Sequence, residues 1–465
     1  MVQDRRNFLK AGSLALAGGA FLSRYDKVAA DQPGGDSLKM LQAPGALHPE
    51  PASFDRLPLE WHKKTTQRLQ EKLSERDLAG AYLRDRWNII YFTGLWHTTT
   101  ERPFHCWIGA QAEAPHWFYP GLDRDLVRSW WYGDGKMYFD FLHGEGAFPN
   151  QGVVQQGKTV NLFEYFCEDL KRLGLSGKKI GLDGELSSKD AETARRILPG
   201  SDWINIADDC LKMRMVKDQQ ELALWARAYR YFDRIHAFAR DYLIANFGRP
   251  DLTDYEIGMA AEKYGNDILM ADIQRNGRPH TAVGTGAGIG VRVGVSTAYP
   301  HPNQFHHNKV TRGAALQVAG GVRVGGYGGE LYRMYLLGPA TDHMRKVWTV
   351  SRDCCLIQER ESRHGVACST VAYAIHQHQV KNGMAQYIYH RPAHGEGSEG
   401  HQAPYLALGD YTMLEDGMCF SVEPGLYDPE NGFGCNWSDT CLVRKDASVL
   451  LSRVPYSEEW SLLKL

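Results

Sequence analysis

The chain has 465 residues, too many for one ordinary hydrophobic core, so two folded units are expected. Its 53 basic and 55 acidic residues balance to a net charge of −2, which leaves no electrostatic case for nucleic acid or an anionic membrane as a partner. Apolar residues at 43% with 11% aromatics are the composition of a folded protein and exclude a disordered one.

The N-terminus carries Arg5 and Arg6, then Phe8, Leu9 and Lys10, then a weakly apolar run from Ala11 to Leu22. Val28 and Ala30 offer small residues for cleavage before Asp31. This is the layout of a twin-arginine export signal over residues 1–30, with a run too short to span a bilayer. The expected location is therefore the bacterial periplasm, reached through the twin-arginine translocase, with no membrane attachment after the signal is removed. Nine cysteines without a CxxC pair argue against a zinc ribbon or a disulfide framework. Cys354 and Cys355 are expected on one helix.

Residues 31–57 are rich in Pro and Gly and read as a linker or arm. A helix is expected around 58–75. "AGAYLRDRWNIIYFTG" then reads as two strands with a turn between them, and "HCWIGA", "PHWFYP" and "KMYFDFL" as further short strands. A helix around 160–173 and a buried strand at "KKIGLDGE" complete an α/β unit over 58–205. Asp218 and Glu221 form a capping-box start, after which Trp225, Tyr229, Phe232, Ile235, Ala239 and Leu243 recur at helical spacing. That long helix opens a second unit, 206–465, with more helices at 253–270, 341–362 and 367–382. "LQVAGGVRVGGYGGELYRM" reads as a strand, a glycine-rich turn and a strand.

Four islands hold the candidate chemistry: His301 in "STAYPHPNQ", Glu330 after the glycine-rich turn, His394 and His401 in "HRPAHGEGSEGHQAPY", and Glu423 with Asp439 in "SVEPGLYDPENGFGCNWSDT". In this order they resemble the pita-bread superfamily of creatinase, aminopeptidase P, prolidase and methionine aminopeptidase. The likeness covers most of 206–450, including "LKMRMVKDQQELALWARA", and more weakly 60–205. It implies an α/β (α+β) chain, with a creatinase-type N-terminal α/β domain followed by a C-terminal pita-bread domain.

In the metal-dependent members two Asp, one His and two Glu hold two cations. Carried over residue by residue, the first Asp falls on Ala319, the second on Glu330, the His on His394 and one Glu on Glu423. The last Glu falls on Ser438 and the nearby Arg on Asn436. Two positions thus lack a strong oxygen ligand, and a dinuclear centre is not expected. The resemblance is closest in site logic to metal-independent creatinase. It implies a C–N hydrolase, or a lyase, acting without cofactor or metal on a small carboxylated molecule. His301, His394 and Glu423 would be catalytic, with His301 the general base. Glu330, His401 and Arg102 would bind substrate, with Arg102 reaching the partner's site in a homodimer. Creatinase has its acidic residue where Tyr332 stands, a departure that leaves the substrate open. Two rival readings are a mononuclear Xaa-Pro peptidase, with the ion on Glu330, His394 and Glu423, and an inactive binding module. His306 and His307 are expected at the surface.

Overall fold

A computed structural model describes residues 35–98, 100–139, 161–273, 283–301 and 307–465. The export-signal expectation and His306 lie outside these residues. The N-terminal half is built on a six-stranded mixed sheet. Its strands are β1 (Gly80–Leu83), β2 (His105–Gly109), β3 (His116–Pro120), β4 (Asp134–Tyr138), β5 (Lys179–Leu182) and β6 (Asp202–Asn205), in the order β4-β3-β2-β1-β5-β6. Helices Leu59–Glu75, Leu162–Arg172 and Ser188–Ile197 pack around it.

One local expectation is corrected here. The segment after β1 is not a second strand but the helix Arg86–Thr93. The Asp85 side chain caps it by accepting from the Asn88 amide, and Gly94 ends it in the left-handed region at φ 77°. Asn88 through Thr93 are all buried, so no polar face interrupts the run and periodicity could not tell helix from strand.

The long helix Gln219–Asn246 starts where the sequence places it. Asp218 accepts from the Gln220 and Glu221 amides while the Glu221 carboxylate accepts from the Asp218 amide. Trp225, Phe232, Ile235, Ala239 and Leu243 are fully buried along it. The other expected helices run Asp254–Asp272, Asp342–Glu361 and Cys368–Lys381, and Cys354 and Cys355 both lie on the second of these. All nine cysteines are free and buried. No helix among the described residues is long and apolar enough to cross a membrane.

Two sheets of the C-terminal half carry the candidate residues. The first orders as β17-β9-β8-β7, with β7 Gly286–Val293, β8 Ala315–Arg323, β9 Arg333–Leu337 and β17 Leu462–Leu463. The second orders as β11-β10-β12-β15-β16, with β10 Ala393–Gly395, β11 Gln402–Leu406, β12 Cys419–Ser421, β15 Thr440–Val443 and β16 Ser448–Leu450. A separate hairpin joins β13 (Leu426–Asp428) to β14 (Phe433–Cys435). A backbone bridge between Tyr332 and Ser438 stitches the two large sheets together.

The β8–β9 connection also touches the N-terminal half. A Cβ on Gly326 would meet the Trp96 ring at 2.3 Å, and the residue sits at φ 90°, so only glycine fits there. Trp61 Nε1 donates to Asp218 Oδ2 at 2.6 Å and Tyr91 donates to the Met213 carbonyl at 2.5 Å, which fixes the two halves against each other.

Candidate active site

Five of the six site residues read from the sequence line one cavity of about 560 Å³: His301, Glu330, His394, His401 and Glu423. They come from separate segments. Glu330 bridges to Gly321 on β8 just ahead of β9, His394 is on β10, His401 immediately precedes β11, and Glu423 follows β12. The two sheets meet along this line, so the register of each strand decides which side chains face the cavity. Arg102 does not join them. It lies on a loop of the N-terminal half, ion-paired with Glu101 at 2.5 Å.

The cluster is tight and charged. His394 Nε2 lies 3.2 Å from Glu423 Oε2 but is not aligned for a hydrogen bond, and this buried atom has no other partner. His401 Nε2 lies 3.7 Å from Glu330 Oε1, and Tyr332 donates to Glu330 Oε2 at 2.7 Å. Burial alone would raise the Glu330 carboxyl. The His401 and Tyr332 contacts, with Glu423 and His394 nearby, instead hold it well below the usual carboxylate range. Burial opposes charge on His394 too, yet Glu423 beside it pushes the imidazole up to about 9. Ser421 steadies both, donating to Glu423 Oε2 at 3.3 Å and accepting from the His394 amide at 3.1 Å.

Behind the cluster, Thr440 donates to Glu396 Oε2 at 2.7 Å, and burial raises that carboxyl to about 8. Arg323 ties the turn carrying His401 to the β8–β9 turn, donating to the carbonyls of Gly326, Gly397 and Ser398. His301 stands exposed on the cavity wall beside Pro300, and His307 is exposed and stacked on Tyr255. Asp439 lies behind the site, buried against Arg333 at 2.9 Å.

Residues 227–445 match the profile of Metallopeptidase family M24. The chain is 22% identical over 392 residues to "Putative dipeptidase YkvY" of Bacillus subtilis, covering 84% of this chain and 97% of that one. It is 25% identical over 386 residues to "Xaa-Pro dipeptidase" of Lactobacillus delbrueckii subsp. lactis, covering 82% and 94%. A solved prolidase from Thermococcus sibiricus superposes with a TM-score of 0.68 at 20% identity, over 86% of this chain and 99% of that one. Residues 227–445 thus carry an M24 domain, and the chain shares the pita-bread fold of these solved relatives.

The two-cation centre of that superfamily does not fit these residues. Ala319 on β8 pairs with Gly290 on β7 and offers no donor. The Ser438 hydroxyl is neutral, buried and without a hydrogen-bond partner among the described residues, in place of a charged ligand. Tyr332 occupies one oxygen of Glu330, which a bridging carboxylate would need free. A single cation does fit. Glu330, His394 and His401 present ligand atoms all within 4.8 Å of one another. This group differs from the set read off the sequence: His401 replaces Glu423, which stays beside His394.

Tyr332, Ser421, Arg292 and Tyr427 were not picked out as site residues from the sequence. Only Tyr332 carried a signal there, as the residue standing where creatinase has an acid.

Proposed function

We propose that this M24 enzyme is a metal-dependent hydrolase of short peptides, in the manner of the dipeptidases and Xaa-Pro dipeptidases among its relatives. The names of those relatives support a peptidase and give no support to creatinase-like specificity. One structural observation carries the metal dependence: ligand atoms of Glu330, His394 and His401 converge within 4.8 Å of one another, two imidazoles and a carboxylate on one cavity wall. Two imidazoles and a carboxylate form a three-ligand set with a position left open. These residues would hold a divalent cation, which would supply Lewis-acid polarisation of a scissile carbonyl when bound.

The chain's own residues do the rest. Tyr332 fixes the rotamer of Glu330 by its 2.7 Å hydrogen bond. Glu423, steadied by Ser421 and held beside His394, is placed to take a proton from an attacking water. His301, which lines the same cavity, would deliver a proton to the leaving amine. Protein stripped of metal and reloaded with manganese, zinc or cobalt should release amino acids from dipeptides, Xaa-Pro dipeptides included. Failure with every metal and peptide sinks this reading. Hydrolysis that survives full chelation favours the metal-free reading instead, for which Ala319 and Ser438 are the reason.

Two further parts of the reading rest on sequence alone. Export by the twin-arginine route rests on Arg5 and Arg6, and replacing both by Lys should leave precursor in the cytoplasm. Pairing into a homodimer, with Arg102 turned to the partner's cavity, agrees with the absence of Arg102 from its own; sedimentation of the full chain tests it.

A further inference from the structure

The cavity wall carries two arginines to which the hydrolytic reading assigns no role. Arg292 reaches it from β7, and Arg391 stands at its mouth. Arg292 Nη1 donates to the Pro300 carbonyl at 3.0 Å, its one hydrogen bond among the described residues. No carboxylate pairs with it there. The two acids of the cavity are engaged elsewhere, Glu330 with His401 and Tyr332, Glu423 with His394 and Ser421. Arg391 is likewise free of any carboxylate among the described residues, its guanidinium carbon over the Tyr405 ring at 4.2 Å from the centroid. Arginines elsewhere in the chain are commonly matched to acids, as Arg214 is to Glu399 and Arg333 to Asp439.

Leaving a guanidinium half-buried and unmatched costs stability unless a ligand supplies the counter-charge. Its planar fork fits a carboxylate with two parallel hydrogen bonds. The phenols of Tyr332 and Tyr427 line the same cavity. The arginine that the superfamily carries near its last ligand is Asn436 here, also on the cavity wall. The cationic part of this cavity therefore comes from a different strand.

We propose that Arg292, assisted at the mouth by Arg391, is the anchor for a terminal carboxylate, and that this enzyme selects short peptides with a free C-terminus over blocked ones. The assignment rests on the peptide-hydrolase reading above and names the residue that sets its specificity.

The test uses the full metal-loaded chain, its R292Q, R292K and R391Q variants, and two probes, alanyl-proline and alanyl-prolinamide. Binding is measured by calorimetry and hydrolysis by amino-acid release. The native chain should bind the acid about tenfold or more tightly than the amide, since a bidentate ionic pair is lost in the amide. R292Q should collapse that ratio, mainly through weaker acid binding and a higher KM, with kcat less affected. R391Q should lower it less, and its residual preference should fall with salt. A ratio that survives in R292Q, or a native chain that binds neither probe or both alike, overturns the assignment. Should R292Q fail to fold, R292K decides: it keeps the charge but not the fork, so the ratio must fall severalfold, and an unchanged ratio overturns it. Selective acid binding without cleavage under any metal would sink the hydrolase reading while leaving Arg292 as the anchor.

Discussion

The imidazole rings of His394 and His401 stack with centroids 3.8 Å apart and 19° between their planes. Two imidazolium rings at that separation would repel, and either the adjoining carboxylates or one cation shared between them would relieve that repulsion. Glu330 and Glu423 supply the first arrangement, and the three-ligand geometry permits the second.

Metal affinity should therefore depend on all three ligands. His394→Ala or Glu330→Gln should each weaken manganese or zinc binding by about ten- to a hundredfold or more, a loss on the scale of disturbing a metal site. Tyr332→Phe should weaken it less, because it only frees Glu330 to rotate. Calorimetric titration of stripped protein checks this, and equal affinity in the His394 variant would remove that residue from the ligand set.

The same cluster predicts opposite pH responses with and without metal. Folding raises His394 to about 9 from its ordinary 6.5, so its contribution to metal-free stability is complete below pH 6.5 and fades as pH rises through 9. Glu330 is held low by folding, so its contribution is present above pH 4.5 and is lost in strong acid. A cation must displace the proton of His394, so affinity should climb by up to about tenfold per pH unit toward pH 9. Calorimetry in buffers of different ionisation enthalpy should count about one proton released.

Restoring the missing ligands should change the stoichiometry. Ala319→Asp with Ser438→Glu supplies the two carboxylates that the superfamily's dinuclear members have. The double variant should carry up to two equivalents of metal where the proposed native site holds at most one, read by elemental analysis beside a melting curve. Persistence at one equivalent in folded protein would mean that Tyr332 still blocks the second position.

His301→Ala should lower turnover by roughly a hundredfold, the scale of a positioned proton donor or acceptor, with a smaller change in substrate affinity. Steady-state kinetics on whichever peptide is cleaved separates the two. Full turnover in that variant would pass the proton role to Glu423 alone.

Arg333 and Asp439 form a pair with no exposure on either side, and Thr440, Ser452 and Tyr456 also bond to Asp439. Arg333→Met strands a buried carboxylate and should cost roughly 3–5 kcal/mol. Denaturant unfolding measures it. Arg333→Met together with Asp439→Asn should recover part of the loss, because the stranded charge is then gone.

The α/β character, the long capped helix at Asp218, the three later helices and the family's islands were legible in the sequence, because each rests on local information. Helical spacing, capping pairs and short motifs survive without knowing what lies across the sheet. The missing ligands at Ala319 and Ser438 were legible for the same reason. Three things only the tertiary structure decided. The run Asn88 to Thr93 is a helix because it is buried on every side, a state that erases periodicity. His401 joins Glu330 and His394 because a turn held by Arg323 folds it back, which no spacing along the chain encodes. Arg292 faces the cavity because the β7–β8 register turns it there, and an arginine on a strand carries no local mark of whether its partner is an acid of the protein or of a ligand.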